Sequence, residues 1–172
     1  MKEEKTLNKP IVLVGMMGAG KTHIGGTLAD ALALEFNDTD HLIEEKAGMS
    51  VPEIFEHFGE AKFRESEHKT IIEALDNPPC VLATGGGALM NAKTLEELKQ
   101  RAVMVWIDVE SDVLWSRVKD CKNRPLLQAP DARQRLEDLL EERKALYEQA
   151  HIHVQNNKGQ ASDVVAKIIE LL

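Results

Sequence analysis

The octapeptide GMMGAGKT at positions 15–22 constrains the fold of this chain more than any other segment. It fits the pattern GxxxxGK[ST], with a short apolar run before it and a helical pattern after it. The glycines allow a tight turn whose N–H groups point at phosphate oxygens, and the dipole of the following helix attracts negative charge. The pattern therefore predicts a phosphate-binding loop (P-loop), in which Lys21 reaches the β- and γ-phosphates of a nucleotide and Thr22 ligates Mg²⁺. The phosphate acceptor stays open, because GTPases, ATPases and metabolite kinases share this loop.

Short apolar runs alternate with stretches of helical periodicity along the 172 residues. The runs lie at 11–14, 34–36, 81–83, 103–107 and 152–154. Strands that alternate with helices indicate a parallel sheet covered by helices on both faces, and uniformly apolar runs suit strands buried on both sides. We therefore expect a single three-layer α/β/α domain, residues 1–172, with a five-stranded parallel sheet.

The composition limits the environment and the partners of the chain. The formal net charge of −8 predicts a surface that repels nucleic acid and anionic membranes. There is no run of 18 apolar residues and no signal-peptide pattern in the charged N-terminal residues, so neither membrane insertion nor secretion is expected. Cys80 and Cys121 lie outside any CxxC pattern, which predicts a reduced, cytoplasmic protein whose two thiols are buried or half-buried.

Two carboxylates, Asp38 and Asp40, follow the apolar run that ends at Phe36. In an extended chain, side chains two residues apart face the same side, roughly 6–7 Å apart. Here they would lie at the carboxyl edge of the sheet, where open α/β sheets bind ligands. One carboxylate is then a candidate for holding Mg²⁺ through water, and the other for accepting a proton from a hydroxyl. The alternative is a loop pair in which Asp40 caps a helix that begins near His41.

Two arginines lie on apolar helix faces. Arg64 shares its face with Glu67 and Ile71, and Arg143 shares its face with Leu139 and Tyr147. A buried guanidinium needs an anionic partner. That partner is either an internal glutamate or a substrate carboxylate held in a bidentate fork.

Two further segments indicate ligand contacts at the ends of elements. Residues 84–87, with the sequence TGGG, close the apolar run at 81–83. Three glycines there would let a ligand approach the backbone closely and accept hydrogen bonds from its N–H groups. The alternative is a plain flexible turn. Residues 120–131 contain two prolines and many polar groups, so they form either a functional lid or a disordered surface loop.

Taken together, these segments resemble the shikimate kinase family in order and spacing over roughly residues 9–172. The pieces that carry the resemblance are GMMGAGKTHIG, the pair Asp38 and Asp40, GEAKFRESE around Arg64, TGGG, the lid motif Arg124-Pro125-Leu126-Leu127, and Glu142-Arg143 with Tyr147. Apart from the P-loop, no single motif is diagnostic, but the combination of motifs is specific for this family. The resemblance implies a P-loop kinase fold like that of nucleoside-monophosphate kinases, with a substrate-binding subdomain at 40–75 and a mobile lid at 119–131.

The resemblance also implies a role for each matching residue, with ATP and shikimate as substrates and Mg²⁺ as the metal. Lys21, Asp40 and Arg124 would be catalytic, with Asp40 as the base for the 3-hydroxyl of shikimate. Thr22 would ligate Mg²⁺ directly and Asp38 through water. The residues implied to contact ATP are Gly18, Ala19, Gly20, Lys21, Thr22, His23, Arg117, Arg124 and Gln160. The residues implied to bind shikimate or order its pocket are Asp40, Arg64, Glu67, Gly85, Gly86, Gly87 and Arg143.

The sequence departs from the family at His23, where the usual loop has a hydroxyl residue on the α-phosphate side. An imidazole can donate the same hydrogen bond, so we expect altered ATP affinity and retained activity. Two other functions remain open: another small-metabolite kinase, such as a gluconate kinase, or a nucleotide- or shikimate-binding module that has lost catalysis. A monomer is the expected assembly.

Overall fold

The computed structural model describes residues 7–121 and 128–172 of the chain. The strands are β1 (Ile11–Val14), β2 (Glu35–Asp38), β3 (Cys80–Ala83), β4 (Val103–Asp108) and β5 (Ile152–Gln155). The helices are α1 (Lys21–Leu32), α2 (Thr39–Ala47), α3 (Val51–Asp76), α4 (Ala92–Arg101), α5 (Ser111–Val118), α6 (Ala132–Tyr147) and α7 (Ala161–Leu171), with a short 3-10 turn at Ala88–Met90. Within the described ranges, no helix is both long and apolar enough to cross a bilayer.

The five strands form one parallel sheet in the order β2-β3-β1-β4-β5. The central strand β1 is buried along its whole length, with Leu13 aligned to Ala83 on one side and Val105 on the other. Helices cover both faces, which explains why β1, β3 and β4 are continuous apolar runs. The two edge strands are more exposed, and β5 alternates buried and exposed residues. The predicted three-layer fold with five parallel strands is therefore confirmed.

Helix α3 changes direction at Gly59, whose backbone has φ 81° and ψ 168°. A glycine adopts this positive φ without the steric cost that a side chain would add. Ile54 before the kink and Phe63 just after it pack with Ile43 of α2 in a small separate cluster. Further along α3, Ile71 and Leu75 join the main core. One helix thus connects the small cluster to the sheet.

The two cysteines lie in different environments. Cys80 is buried at the start of β3, and burial raises the pKa of its thiol. Cys121 is exposed, so the expectation of a buried or half-buried thiol was wrong there. The reason is its position past the end of α5, where it no longer lies on the face that packs against the core.

Candidate active site

The P-loop follows β1 and ends in the first turn of α1. Gly18 and Gly20 have φ values of 79° and 92°, which favour glycine. A Cβ at Gly15 would lie 2.6 Å from the backbone oxygen of Ile107, so close packing excludes a side chain there. Helix α1 has neither a side-chain cap nor an acidic residue in its first turn. The positive N-terminal end of the α1 dipole is therefore available to a bound anion, as expected for a phosphate site.

Lys21 lies folded over this loop. Its ammonium group donates hydrogen bonds to the backbone oxygens of Gly15, at 2.7 Å, and Met16, at 2.8 Å. The residue is only 8% exposed, so the carbonyl groups compensate for the loss of water around the cation. The cation is thus held at the mouth of the loop.

Asp38, at the end of β2, contacts two parts of the site at once. Its Oδ2 accepts a hydrogen bond from the Thr22 hydroxyl at 2.8 Å, and its Oδ1 accepts from the backbone N–H of Asp40 at 3.0 Å. Asp38 is therefore the N-cap of α2, and the alternative in which Asp40 caps the helix was wrong. Asp40 lies in the first turn of α2. The two aspartates therefore occupy the N-cap and the first turn of a helix and do not lie along one extended segment.

Arg64 and Glu67 form an ion pair on the inward face of α3, with 2.8 Å between Nη1 and Oε2. A second acid, Glu60, lies 3.5 Å from Nη2. Glu67 is almost completely buried, and this burial raises the pKa of its carboxyl group, although Arg64 opposes the rise. Nearby Asp40 raises the pKa of Glu67 further. The internal partner that the sequence left open for Arg64 is therefore present.

Arg143 differs from Arg64 in lacking such a partner. It is 7% exposed on α6, and none of the carboxylates that the structure describes lies within 4.0 Å of its guanidinium. Its Nε is buried and has no hydrogen-bond partner among these residues. A buried cation without an internal counter-charge is costly, so this arginine is built for an external anion.

The three glycines after β3 make room for the side chains of the site. A Cβ at Gly85 would lie 2.7 Å from Glu67 Oε1, one at Gly86 would lie 3.2 Å from Arg143 Nη1, and one at Gly87 would overlap the Arg64 guanidinium. The sequence predicted instead that this loop donates N–H groups to a ligand. In the structure, the Gly85 N–H donates a hydrogen bond to the Thr39 hydroxyl at 3.2 Å.

The opposite side of the P-loop contacts the segment after β5. Arg117 donates to the backbone oxygen of Gly18 at 3.2 Å and to that of Asn156 at 2.7 Å. The buried Asn156 side chain donates to the Ala19 oxygen at 2.8 Å. Gln160 is exposed at the N-cap of α7, close in sequence to this contact. Arg117 and Gln160 were expected here, whereas Asn156 was not.

The remaining expected residues lie at the margins of the site or outside the described ranges. The side chain of His23 is exposed in the first turn of α1. Asp108 pairs with His153 at 3.0 Å at the end of β4. Arg124 and the motif around it fall within residues 122–127, outside the described residues.

Two residues of the site carried little or no sequence signal. Asn156 lies in a polar stretch, Asn156-Asn157-Lys158, that is indistinguishable from an ordinary turn. Tyr147 is visible only as a neighbour of Arg143 on the apolar face of α6 and as part of the family motif. Its hydroxyl contacts the oxygen of Gly86, a contact that no local pattern indicates.

Comparison with known proteins gives a consistent result. The sequence profile described as shikimate kinase matches residues 17–172. A shikimate kinase of Mesorhizobium japonicum is 44% identical over 165 residues, which cover 96% of this chain and 81% of the relative. A shikimate kinase of Brucella canis is 42% identical over 165 residues, covering 96% and 82%.

Solved structures extend this similarity to three dimensions. Shikimate kinase from Acinetobacter baumannii in complex with shikimate has a TM-score of 0.92 and 44% identity, covering 96% of this chain and 93% of that chain. Shikimate kinase from Aquifex aeolicus has a TM-score of 0.84 and 36% identity, covering 94% and 95%. A gluconokinase from Sinorhizobium meliloti shares the fold alone, with a TM-score of 0.61 and 16% identity over 95% of this chain and 91% of that chain.

Proposed function

The chain belongs to the shikimate kinase family and is therefore an ATP-dependent phosphotransferase with an alcohol acceptor, and we propose that the residues described above carry out this reaction. The reaction transfers the γ-phosphate of ATP to the 3-hydroxyl of shikimate, giving shikimate 3-phosphate and ADP in aromatic amino-acid biosynthesis. The observation that supports the site assignment best is the buried guanidinium of Arg143, which lies beside the P-loop and lacks an internal carboxylate among the described residues. A substrate carboxylate would supply the missing charge.

On the donor side, the backbone N–H groups of residues 18–20 and the ammonium of Lys21 bind the phosphates. Lys21 donates to two backbone oxygens of this loop, and in the complex it would donate to β- and γ-phosphate oxygens. Arg117 lies against Gly18 and forms one wall for the adenine, with Gln160 nearby. We assign Arg124 to the phosphates on the resemblance alone.

The oxygens of Thr22 and Asp38 fit a magnesium ion, which prefers hard oxygen ligands. Because the Thr22 hydroxyl donates a hydrogen bond to Asp38, the lone pairs of its oxygen stay available to a cation. Thr22 would ligate the ion directly and Asp38 through water. When bound, Mg²⁺ neutralises charge on the β- and γ-phosphate oxygens.

On the acceptor side, Arg64 and Arg143 hold the carboxylate of shikimate and thereby orient its ring. Glu67 fixes the Arg64 guanidinium through their ion pair. Asp40 accepts the proton of the 3-hydroxyl as the hydroxyl oxygen attacks the γ-phosphate. Its Oδ1 lies near Gly85, as does the Glu67 carboxylate. The acceptor loop after β3 adds no side chains to this pocket at Gly85, Gly86 and Gly87.

We further propose that residues 1–172 form one kinase domain that acts as a monomer in the cytoplasm. Residues 40–75 would be its substrate-binding subdomain, supported by the separate cluster of Ile43, Ile54 and Phe63. Residues 119–131 would form the lid that excludes water from the reacting phosphate. Analytical ultracentrifugation of the chain with and without substrates checks the assembly.

His23 is the position in the P-loop at which the sequence departs from the family's usual pattern. We propose that its imidazole replaces a hydroxyl group as the donor to the α-phosphate side of ATP. The variant His23→Ser should then change the KM for ATP and leave the KM for shikimate unchanged. Equal KM values for ATP in both proteins would remove His23 from the site.

An ADP-release assay with ATP and Mg²⁺ tests the reaction against its alternatives. The assay compares shikimate, gluconate and no acceptor. It also includes the Arg143→Lys variant, which keeps the positive charge but loses the guanidinium that binds a carboxylate at two points. ADP release that depends on shikimate, with a raised KM for shikimate in the variant, is the expected result. Release with gluconate alone would favour a gluconate kinase. ATP binding without release on either acceptor would favour a binding module.

A further inference from the structure

Tyr147, the only tyrosine of the chain, lies at the contact between the two substrate-binding loops. It is the last residue of α6 and is 1% exposed. Its hydroxyl donates a hydrogen bond to the backbone oxygen of Gly86 and lies 3.6 Å from the sulfur of Met16. Gly86 belongs to the loop after β3 and Met16 to the P-loop, so one hydroxyl group contacts both.

The two loops are in close contact at this point. A Cβ at Gly86 would lie 3.4 Å from the backbone nitrogen of Met17 and 3.6 Å from the oxygen of Gly15. The Met16 oxygen, in turn, accepts a hydrogen bond from Lys21 at 2.8 Å. The position of Gly86 relative to the P-loop is therefore linked to the position of the phosphate-binding lysine.

The ring of Tyr147 is fixed from the side of the sheet. It stacks against Trp106 of β4, with 5.8 Å between ring centres and 29° between ring planes. Burial raises the pKa of the Tyr147 hydroxyl to about 12, although the nearby Arg143 guanidinium opposes the rise. The hydroxyl therefore keeps its proton at neutral pH and remains a hydrogen-bond donor.

We propose that the Tyr147 hydroxyl is a positioning group that sets the separation of the P-loop from the acceptor loop, and with it the distance between the γ-phosphate and the attacking hydroxyl. Tyr147 touches neither substrate in this scheme, and it acts through Gly86 and Met16. The inference rests on the proposed placement of ATP on the P-loop and of shikimate beside Gly86. Phosphoryl transfer depends almost entirely on such positioning, so a small change in this separation should lower the turnover number.

The variant Tyr147→Phe removes only the hydroxyl group. We expect kcat to fall by about tenfold to a hundredfold, because a misplacement of about 1 Å can have that effect. The KM for ATP should stay unchanged, since the groups that bind ATP remain. The ratio of shikimate 3-phosphate formed to ATP consumed should also fall, because water competes with a misplaced acceptor.

The matched control is Trp106→Phe, which alters the packing of the ring and leaves the hydroxyl in place. It should lower the melting temperature without lowering the product-to-ATP ratio. An unchanged kcat in Tyr147→Phe, or equal losses of kcat and of product ratio in both variants, would overturn the positioning role. If wild-type protein showed no shikimate-dependent ADP release, the proposed function itself would fail, which is a distinct result.

A second measurement does not depend on the folding of a variant. Because Tyr147 is the only tyrosine, growth on 3-fluorotyrosine labels this position alone and keeps its hydroxyl. Fluorine NMR should show that the resonance shifts when ADP is added alone and when shikimate is added alone. A shift with only one of the two ligands, or with neither, would contradict the link between the loops.

Discussion

The hydroxyl of Thr22 donates a hydrogen bond of 2.8 Å to the carboxylate of Asp38, which joins the P-loop to the end of the strand β2. The same carboxylate caps α2 through the backbone N–H of Asp40. One side chain therefore fixes both the proposed metal ligand and the start of the helix that carries the proposed base. These two roles have different chemical requirements and can be separated by mutation.

The variants Asp38→Asn and Asp38→Ala should differ in stability and agree in their magnesium dependence. Asparagine caps helices about as well as aspartate, whereas loss of the cap in the alanine variant should cost about 1 kcal/mol of unfolding free energy. Both variants lack the carboxylate, so both should need more Mg²⁺ for half-maximal activity. Urea denaturation and magnesium titrations check these outcomes. Equal destabilisation by the two variants would show that capping by Asp38 adds no stability.

The variant Gly87→Ala should weaken the binding of shikimate without affecting ATP. The new Cβ would overlap the guanidinium of Arg64, which must then leave its position beside Glu67. Loss of one charged contact of about 1.4 kcal/mol corresponds to a KM for shikimate raised about tenfold. Steady-state kinetics with each substrate varied in turn measure this.

Gly26→Ala is the control for that substitution, because a Cβ at this position in α1 would have none of the described atoms within 4 Å beyond its chain neighbours and the backbone of its own helix. It should leave both KM values unchanged and stabilise the helix by up to about 1 kcal/mol. If Gly87→Ala also left the KM for shikimate unchanged, Arg64 would have room to move and still bind.

The variant Glu67→Gln should reveal the cost of burying a charged carboxylate. The pKa of Glu67 is raised from its ordinary value of 4.5, so above that pH the unfolded chain releases this proton more readily than the folded chain. The stabilising effect of the protonated form is complete below pH 4.5 and is lost as the pH rises through the raised pKa. The unfolding free energy of the wild type should therefore fall relative to that of the variant as the pH rises above 4.5.

Glu65→Gln on the same helix is the matched control, because hydrogen bonds from Lys69 and Lys62 lower the pKa of Glu65. Its pH dependence should have the opposite sign and be small, since the group is exposed. Because the effect of Glu65 is lost as the pH falls below 4.5 and that of Glu67 as the pH rises above it, urea denaturation on both sides of pH 4.5 measures both differences. A wild type that gained stability relative to Glu67→Gln at high pH would show that the Arg64 ion pair outweighs burial.

The variant Asn156→Ala should raise the KM for ATP by about tenfold and leave the KM for shikimate unchanged, because one hydrogen bond of about 1.4 kcal/mol is lost from the P-loop. The side chain donates to the Ala19 oxygen, whereas the backbone contact with Arg117 persists in alanine. Asn157→Ala is the control, since that side chain contacts only Glu110 among the described residues. Equal increases of both KM values in Asn156→Ala would indicate a general loss of structure.

The strands and the inward arginines could be predicted from the sequence because their signals are local. The apolar runs gave the strands to within two residues, since helices on both faces leave no place for polar side chains in β1 and β3. The helical spacing placed Arg64 and Arg143 on buried faces. The first part of α3 gave no clear periodicity, because its small cluster buries only a few residues and Gly59 interrupts the helix.

Contacts between distant segments could not be predicted in this way. Tyr147 and Met16 are separated by 131 positions and Asn156 and Ala19 by 137, so their pairing depends on the order of the strands. The space that the three glycines after β3 leave for other side chains could not be predicted for the same reason. The side chains for which Gly85 and Gly87 leave space belong to α2 and α3, which the sheet brings alongside only in the folded chain.

The position of β1 in the sheet sets the order in which the site can be completed during protein synthesis. The ribosome makes the P-loop first, but β1 lies in the centre of the sheet, and its neighbours β3 and β4 begin at residues 80 and 103. The residue that holds the loop at Ala19 comes later still, after β5. A nascent chain that ends before residue 156 therefore carries the phosphate-binding sequence without the contacts that shape it. The earliest motif to be translated is among the last to become competent for ATP.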